Sequence, residues 1–150
     1  MKASKWHDER GQIGGFEVIP FGLLLFVSAM LVVANAWAVM DAKLAASSAA
    51  REASRAYAES ASQADAEAAI DRSAHEALAA FGRDGDRVEI AVDADPFGRC
   101  ARVTVEVSYR VPALTVPFIG GFGSGITARS RHSEIVDPYR SGLPAGGCHE

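Results

Sequence analysis

One uncharged, strongly apolar run constrains this chain more than any other feature. Residues 18–40 form 23 consecutive positions without a charged side chain. At about 1.5 Å per residue, a helix of this length spans roughly 34 Å, which is enough to cross a hydrocarbon core of about 30 Å with some tilt. We therefore predict a transmembrane helix over residues 18–40, with a cytoplasmic leader or tail over residues 1–17.

The rest of the chain is mildly acidic. Residues 41–150 carry 12 Lys and Arg against 16 Asp and Glu, whereas the first 17 residues carry three of each sign. No basic stripe is apparent, so the sequence gives no electrostatic reason to expect nucleic acid as a partner. A chain of 150 residues is long enough for one modest domain, which excludes a two-lobed catalytic arrangement.

The basic residues that flank the span do not by themselves fix its orientation. Each side carries three of them: Lys2, Lys5 and Arg10 before the span, and Lys43, Arg51 and Arg55 after it. The short tail and the placement of Cys100 and Cys148 decide the prediction, because an oxidising compartment would let these two thiols pair. Two cysteines at one spacing specify little, so two unrelated thiols remain an alternative. We predict a single-pass protein of the cell membrane with its C-terminal domain outside the cytoplasm.

A cleaved signal peptide is the competing explanation of the apolar run. The segments Ala34-Asn35-Ala36 and Ala36-Trp37-Ala38 both match the small-x-small cleavage pattern. The run is longer than the usual apolar region of about 7–15 residues, and Glu17 is one of three acidic residues in the preceding segment. These features favour a retained anchor.

An alanine-rich segment follows the span and predicts a helical stalk over residues 41–81. It contains 17 alanines in 41 residues and no Gly or Pro, and Ala has the highest helix propensity. Ser62 and Asp65 resemble a capping box, which predicts a break there, and Gly82 predicts the end of the second piece. A ladder of small residues at intervals of four could let two helix backbones approach closely, although an alanine-rich stretch also produces such spacing by chance. Its members are Ala34, Ala38, Ala42, Ala46 and Ala50.

The periodicity changes from helical to alternating after Gly85. Apolar residues alternate with polar ones over residues 88–92 and 103–111, and residues 126–136 can supply a third strand. A glycine-rich loop is predicted between the last two strands. We therefore predict an α+β, pilin-like fold: a transmembrane helix continues into the alanine-rich helix and is followed by a small antiparallel three-stranded sheet. The sheet would form a head over residues 82–137, with a flexible Pro- and Gly-rich tail over residues 138–150.

The sequence shows little that is typical of an enzyme. The four histidines, His7, His75, His132 and His149, have no metal-ligand spacing, and the Asp84-Gly85-Asp86 segment lacks the ligand sequence of an EF-hand. No phosphate-binding glycine loop, nucleophile elbow or HExxH helix occurs. We therefore expect no catalytic activity, no cofactor, no metal and no small-molecule substrate.

Several motifs resemble those of a known family. They are Glu9-Arg10-Gly11, the acidic Glu17 before the apolar helix, the segment Ala50-Arg51-Glu52-Ala53-Ser54-Arg55, and a Pro-Phe-Ile-Gly-Gly loop. In these features the chain resembles the TadE-like pilus assembly proteins, which are pseudopilins of tight-adherence (Flp-type) pilus systems. The resemblance covers roughly residues 9–60 by motif and extends to about residue 139 by layout.

This resemblance implies a structural or assembly role in a pilus, as a minor pseudopilin. It implies trimming by a prepilin peptidase in the region of Gly11, Gln12, Ile13 and Glu17, and packing of the helix against other pilin-like subunits. In pilin-like proteins the acidic residue lies five positions after the cut, a spacing that a cut after Gln12 would give and a cut after Gly11 would not. The alternative function is a secreted or membrane-anchored extracellular binding module unrelated to pili.

Overall fold

The structure is a computed structural model that describes residues 18–83, 85–112, 115–116, 120–121, 125–144 and 148. Its backbone contacts divide the chain into two compact units, Met1–Ala36 and Trp37–Glu150. The elements are α1 (Val18–Glu59), α2 (Gln63–Ala79), β1 (Val88–Ala94), β2 (Arg102–Val111), β3 (Thr115–Val116), β4 (Gly120–Gly121) and β5 (Ile126–Ile135). This order is an α+β arrangement, as the sequence predicts.

Helix α1 is continuous over 42 residues and does not break where the apolar run ends. The reason is local: alanine dominates the sequence after Met40, and neither Gly nor Pro interrupts it. Within the described part of the chain, α1 is the one helix long and apolar enough to cross a membrane, and its apolar window is fully exposed.

Ser62 separates the two helices as the capping pattern predicts. Its side-chain oxygen accepts a hydrogen bond from the backbone N–H of Asp65 at 3.2 Å, and its hydroxyl donates to the Asp65 carboxylate at 2.7 Å. An N-cap of this kind satisfies one of the amide groups that have no partner within the first turn of a helix.

Helix α2 ends just before Gly82, which adopts a positive φ of 65°. The backbone N–H of Gly82 donates to the Ala79 carbonyl at 2.8 Å, and that of Arg83 donates to the Leu78 carbonyl at 3.0 Å. Glycine suits this left-handed position because it has no Cβ. Leu78 of α2 is completely buried, whereas Phe81 lies beyond the last helical residue and is 41% exposed.

Three strands form an antiparallel sheet in the order β1-β2-β5. The central strand, β2, has a register that pairs Val107 with Ile90 on one side and with Ser130 on the other. The inward-facing side chains of β2 are buried because the helices cover that face of the sheet: Val103, Val105, Val107, Tyr109 and Val111. This is the three-stranded antiparallel sheet that the alternating pattern predicts.

The core of the second unit is formed largely by alanine from the helices and valine from the sheet. Ala45, Ala49 and Ala53 of α1 are completely buried in the same cluster as the β2 valines. Ile70 and Leu78 of α2 belong to this cluster as well. Since alanine has the smallest apolar side chain, it allows the helix backbone to lie close to the sheet.

One part of the chain differs from the sequence-based prediction. The predicted glycine-rich loop contains a two-stranded ladder, in which β3 pairs with β4. Two-residue strands are too short to produce an alternating pattern, so periodicity does not reveal them. In the described part of the tail, Arg140 donates hydrogen bonds to the Ala58 and Glu59 carbonyls at 2.7 and 2.6 Å, and the flexibility of residues 138–150 stays a prediction.

Candidate functional site

The first surface of functional interest is the apolar side-chain layer of α1 before Trp37. Every residue from 18 to 34 is exposed, and large side chains such as Phe21 and Phe26 are more than 60% exposed. Soluble monomers rarely expose a contiguous apolar patch of more than a few hundred Å². An exposed apolar surface of this kind makes α1 a candidate membrane span.

The apolar run ends inside the second unit, in a segment that we call the exit segment, residues 37–43. Trp37 is 76% exposed and Met40 is 63% exposed, and Asp41 is the first charged residue. Tryptophan is enriched at membrane–water interfaces, where its ring spans apolar and polar surroundings. The exit segment thus has the residue pattern of a helix that leaves a bilayer.

Arg83 binds to the exit segment from the end of α2. Its guanidinium donates to the Asp41 carboxylate at 2.7 and 3.1 Å and to the Ala38 carbonyl at 3.2 Å. The same guanidinium carbon lies 5.0 Å from the centre of the Tyr109 ring, within the range of a cation–π interaction. Only 14% of the Arg83 side chain is exposed. We call this arrangement the Arg83 clasp.

The Arg83 clasp follows from two local features of the chain. Gly82 stops α2 and turns the backbone, so that the next residue extends towards α1. The sequence shows the stop, but it does not show that Asp41, 42 positions away, supplies the partner. Sequence reasoning therefore missed the clasp, although an arginine directly after a helix-stopping glycine was visible.

The five members of the alanine ladder differ in how far they are buried. Ala42, Ala46 and Ala50 are completely buried in the chain's own core, while Ala38 is partly buried and Ala34 is exposed. Three of the five members are therefore covered by this chain's own sheet and second helix rather than free for a partner helix. The close approach that small residues allow is used within the second unit.

A groove of about 620 Å³ lies between α1, α2 and β1. Its walls are partly apolar, formed by residues such as Ile70 and Val92, and three carboxylates line it: Glu67, Asp71 and Asp95. No short sequence motif signals this groove, because its residues come from three separate elements.

Tyr57 lines the groove and is 3% exposed. Its hydroxyl donates to the Asp95 carbonyl at 3.4 Å, and its ring meets Phe97 edge to face at 5.4 Å between centroids. Burial raises the pKa of the Tyr57 hydroxyl, and the negative charges of Glu67 and Asp95 raise it further. The phenol is therefore held in its neutral form.

Cys100 and Cys148 form a disulfide, with their Cα atoms 5.1 Å apart. The Cys100 backbone adopts a positive φ of 64°, and its N–H donates to the Val136 carbonyl at 3.0 Å. The bond links the turn before β2 to the end of the chain. Pairing of these two residues is the arrangement expected in an oxidising compartment.

The predicted processing region lies outside the described residues. It comprises Gly11, Gln12, Ile13 and Glu17, and its role stays a prediction. Within the described ranges, no group of three or more His, Cys, Asp or Glu side chains could hold a metal ion. His132 lies 3.5 Å from the Glu134 carboxylate on the surface of β5.

Comparisons with known proteins add no relative to this description. No protein-family model, no curated protein and no solved structure matches the chain.

Proposed function

We propose that this protein is a single-pass, membrane-anchored structural or assembly component of a tight-adherence-type pilus, similar to the TadE-like pseudopilins. The observation that carries the proposal is helix α1, which is unbroken from an exposed apolar segment into the core of a small α+β unit. In this role the chain performs no catalytic step and needs no cofactor.

The apolar part of α1 can serve both as an anchor and as a packing surface. Before assembly, lipid covers these side chains; after assembly, apolar helices of other pilin-like subunits replace the lipid. Because lipid tails are as apolar as leucine, helix association needs close packing rather than water exclusion. Ala34 is the ladder member that remains exposed for such packing.

The disulfide supports an extracytoplasmic location of the second unit. Disulfides persist in oxidising compartments and are rare in the cytosol. With the tail inside and the second unit outside, a prepilin peptidase would meet the leader on the cytoplasmic side. A cut after Gln12 would leave Ile13 as the new amino terminus and Glu17 as the fifth residue of the trimmed chain.

Membrane retention is the first test of this proposal. We expect the protein to remain with the membrane fraction through carbonate and high-salt washing, because the apolar surface of α1 partitions into the bilayer. Leu25→Arg should lower insertion by about 3 kcal/mol near the centre of the span. Quantitative release of the unaltered protein would contradict the anchor.

Subunit packing is tested by enlarging the exposed ladder residue. Ala34→Leu should insert normally but hold neighbouring helices apart, and the matched control Val33→Leu should leave packing unchanged because Val33 is already large. Glu17→Ala should also insert, yet should impair pairing with partner subunits, since the carboxylate is lost. Pili are then counted by electron microscopy. Normal piliation in Ala34→Leu and Glu17→Ala would refute the packing role.

An extracellular binding module is the second candidate function, and the groove between α1, α2 and β1 favours it. A cavity of about 620 Å³ is of the size of a small-ligand site. The mature amino terminus separates the two functions. If the intact mass shows that the mature chain starts at residue 12 or 13, it supports the pilus component. If the mature chain starts after Ala36 or Ala38, it supports a secreted module.

A further inference from the structure

Three arginines meet on the outer face of the sheet at one end of the strands. Arg87, Arg110 and Arg129 line a cleft of about 190 Å³, together with the hydroxyl-bearing Ser108 and Thr127. We call this group the arginine patch. The backbone fixes its spacing: the Arg110 N–H donates to the Arg87 carbonyl at 3.0 Å, and Ser108 pairs with Arg129 in the ladder.

The guanidinium groups of the arginine patch are available to a ligand. All three residues are exposed, and among the described residues none of these side chains makes a hydrogen bond or ion pair. Asp86 and Glu89 also line the cleft, so three positive charges stand against two negative ones. The cleft is therefore net positive and rich in donors.

The arginine patch lies at the end of the sheet that packs on the exit segment. Val88, Tyr109 and Ala128 contact a cluster that includes Ala38 and Ala42 of α1. Each patch arginine is the chain neighbour of one of these three residues, on the opposite face of the sheet, because successive side chains of a strand point to opposite sides. The patch is thus level with the exit segment along α1.

The exit segment marks the height at which lipid headgroups would lie. The apolar run ends at Met40, and the exposed ring of Trp37 is typical of the membrane interface. Each headgroup layer is roughly 5–8 Å thick. Arginine side chains near a bilayer extend their charged ends into this layer.

We propose that the arginine patch is a binding site for the phosphodiester headgroup of an anionic phospholipid. Guanidinium groups bind phosphate oxygens through paired hydrogen bonds, and the hydroxyls of Ser108 and Thr127 can donate further ones. The inference rests on the membrane anchoring in the proposed function, and it is independent of the role in a pilus.

The test measures lipid binding to the full chain in a zwitterionic detergent. Short-chain phosphatidylglycerol and phosphatidylcholine are titrated separately, and bound lipid is counted by native mass spectrometry. A triple variant replaces the patch: Arg87→Gln, Arg110→Gln and Arg129→Gln. A matched triple variant makes the same charge change at exposed arginines outside the cleft: Arg72→Gln, Arg102→Gln and Arg131→Gln.

We expect the unaltered chain to prefer phosphatidylglycerol. A basic residue near an anionic lipid surface contributes about fivefold in affinity, so the patch triple should lose about a hundredfold while the matched triple changes about twofold at most. Circular dichroism and thermal melting show whether both variants keep the fold. If the patch triple does not fold, Arg129→Gln alone should still weaken binding by about fivefold.

Three outcomes would overturn the inference. Equal losses in the two triple variants would reveal a general effect of charge. Displacement of the lipid by inorganic phosphate at equal concentration would identify a site for a free anion. A change in the oligomeric state of the patch triple, with unchanged lipid binding, would identify the patch as a contact between copies of this chain. The acidic groove of a second copy would then be the complementary surface. Loss of pili in Ala34→Leu is measured separately, so either proposal can fail alone.

Discussion

Replacing Arg83 by methionine should destabilise the second unit by removing the Arg83 clasp. Methionine has a similar length and keeps the apolar contacts of the side chain. It removes the charge, the two hydrogen bonds to Asp41 and the bond to the Ala38 carbonyl. It also removes the cation–π contact with Tyr109.

The expected loss follows from how exposed each partner is. Hydrogen bonds to charged groups contribute about 1.5–3 kcal/mol, and the lower end applies because the Asp41 side chain is 42% exposed and regains water. The contact with Tyr109 adds about 0.5–1 kcal/mol. We expect the free energy of unfolding to fall by about 2–3 kcal/mol.

Urea titration of the full chain in a mild detergent measures this loss, with the near-ultraviolet circular dichroism of the tyrosines as the signal of unfolding. The exposed Arg72 of α2 provides the control, since Arg72→Met should change stability by about 0.5 kcal/mol at most. A double-mutant cycle with Asp41→Asn should give a coupling energy of about 1 kcal/mol between the two side chains. Equal effects of Arg83→Met and Arg72→Met, or no coupling, would refute the reasoning.

Three further predictions concern the second unit. Replacing Cys100 and Cys148 together by serine should lower the free energy of unfolding by about 4 kcal/mol, since the bond closes a loop with a sequence separation of 48. Urea titration of the serine variant against the disulfide-bonded unaltered chain measures this loss. Ala46→Leu should lower the free energy of unfolding by about 1–3 kcal/mol by overfilling the core, whereas Ala64→Leu on the exposed side of α2 should lower it far less. Equal thermal melting of the two variants would contradict this prediction. The folded state raises the pKa of the Tyr57 hydroxyl, so the contribution of Tyr57 to stability is constant below the unfolded pKa of about 10 and is lost as the pH rises through the higher folded value. Tyr57→Phe should remove this loss of stability at alkaline pH. An unchanged dependence of stability on pH in the variant would contradict the prediction.

Local chemistry explains the elements that the sequence predicted correctly. The capping side chain of Ser62 and the left-handed Gly82 act through neighbours within a few residues, so their effects are visible in the sequence. The alternation along β2 is likewise a property of one strand, and the register then follows from burying one face.

The candidate site was much less predictable. The groove is assembled from α1, α2 and β1, and the arginine patch from β2, β5 and the residue before β1, so each depends on contacts between distant parts of the chain. The tail illustrates the same limit. Its Pro- and Gly-rich composition does not show that Arg140 reaches carbonyls at the end of α1, more than 80 positions away.

The alanine ladder separates what the sequence determined from what only the tertiary structure decided. The sequence determined that α1 is one long helix, apolar in its first part and lined with small residues in its second, because helix propensity and hydropathy are local properties. The spacing of Ala42, Ala46 and Ala50 allows a close neighbour, but a row of small side chains does not specify which neighbour it accepts. The tertiary structure decided that the neighbours are this chain's own sheet and second helix, because burying the β2 valines requires a cover and α1 is the helix that lies against them.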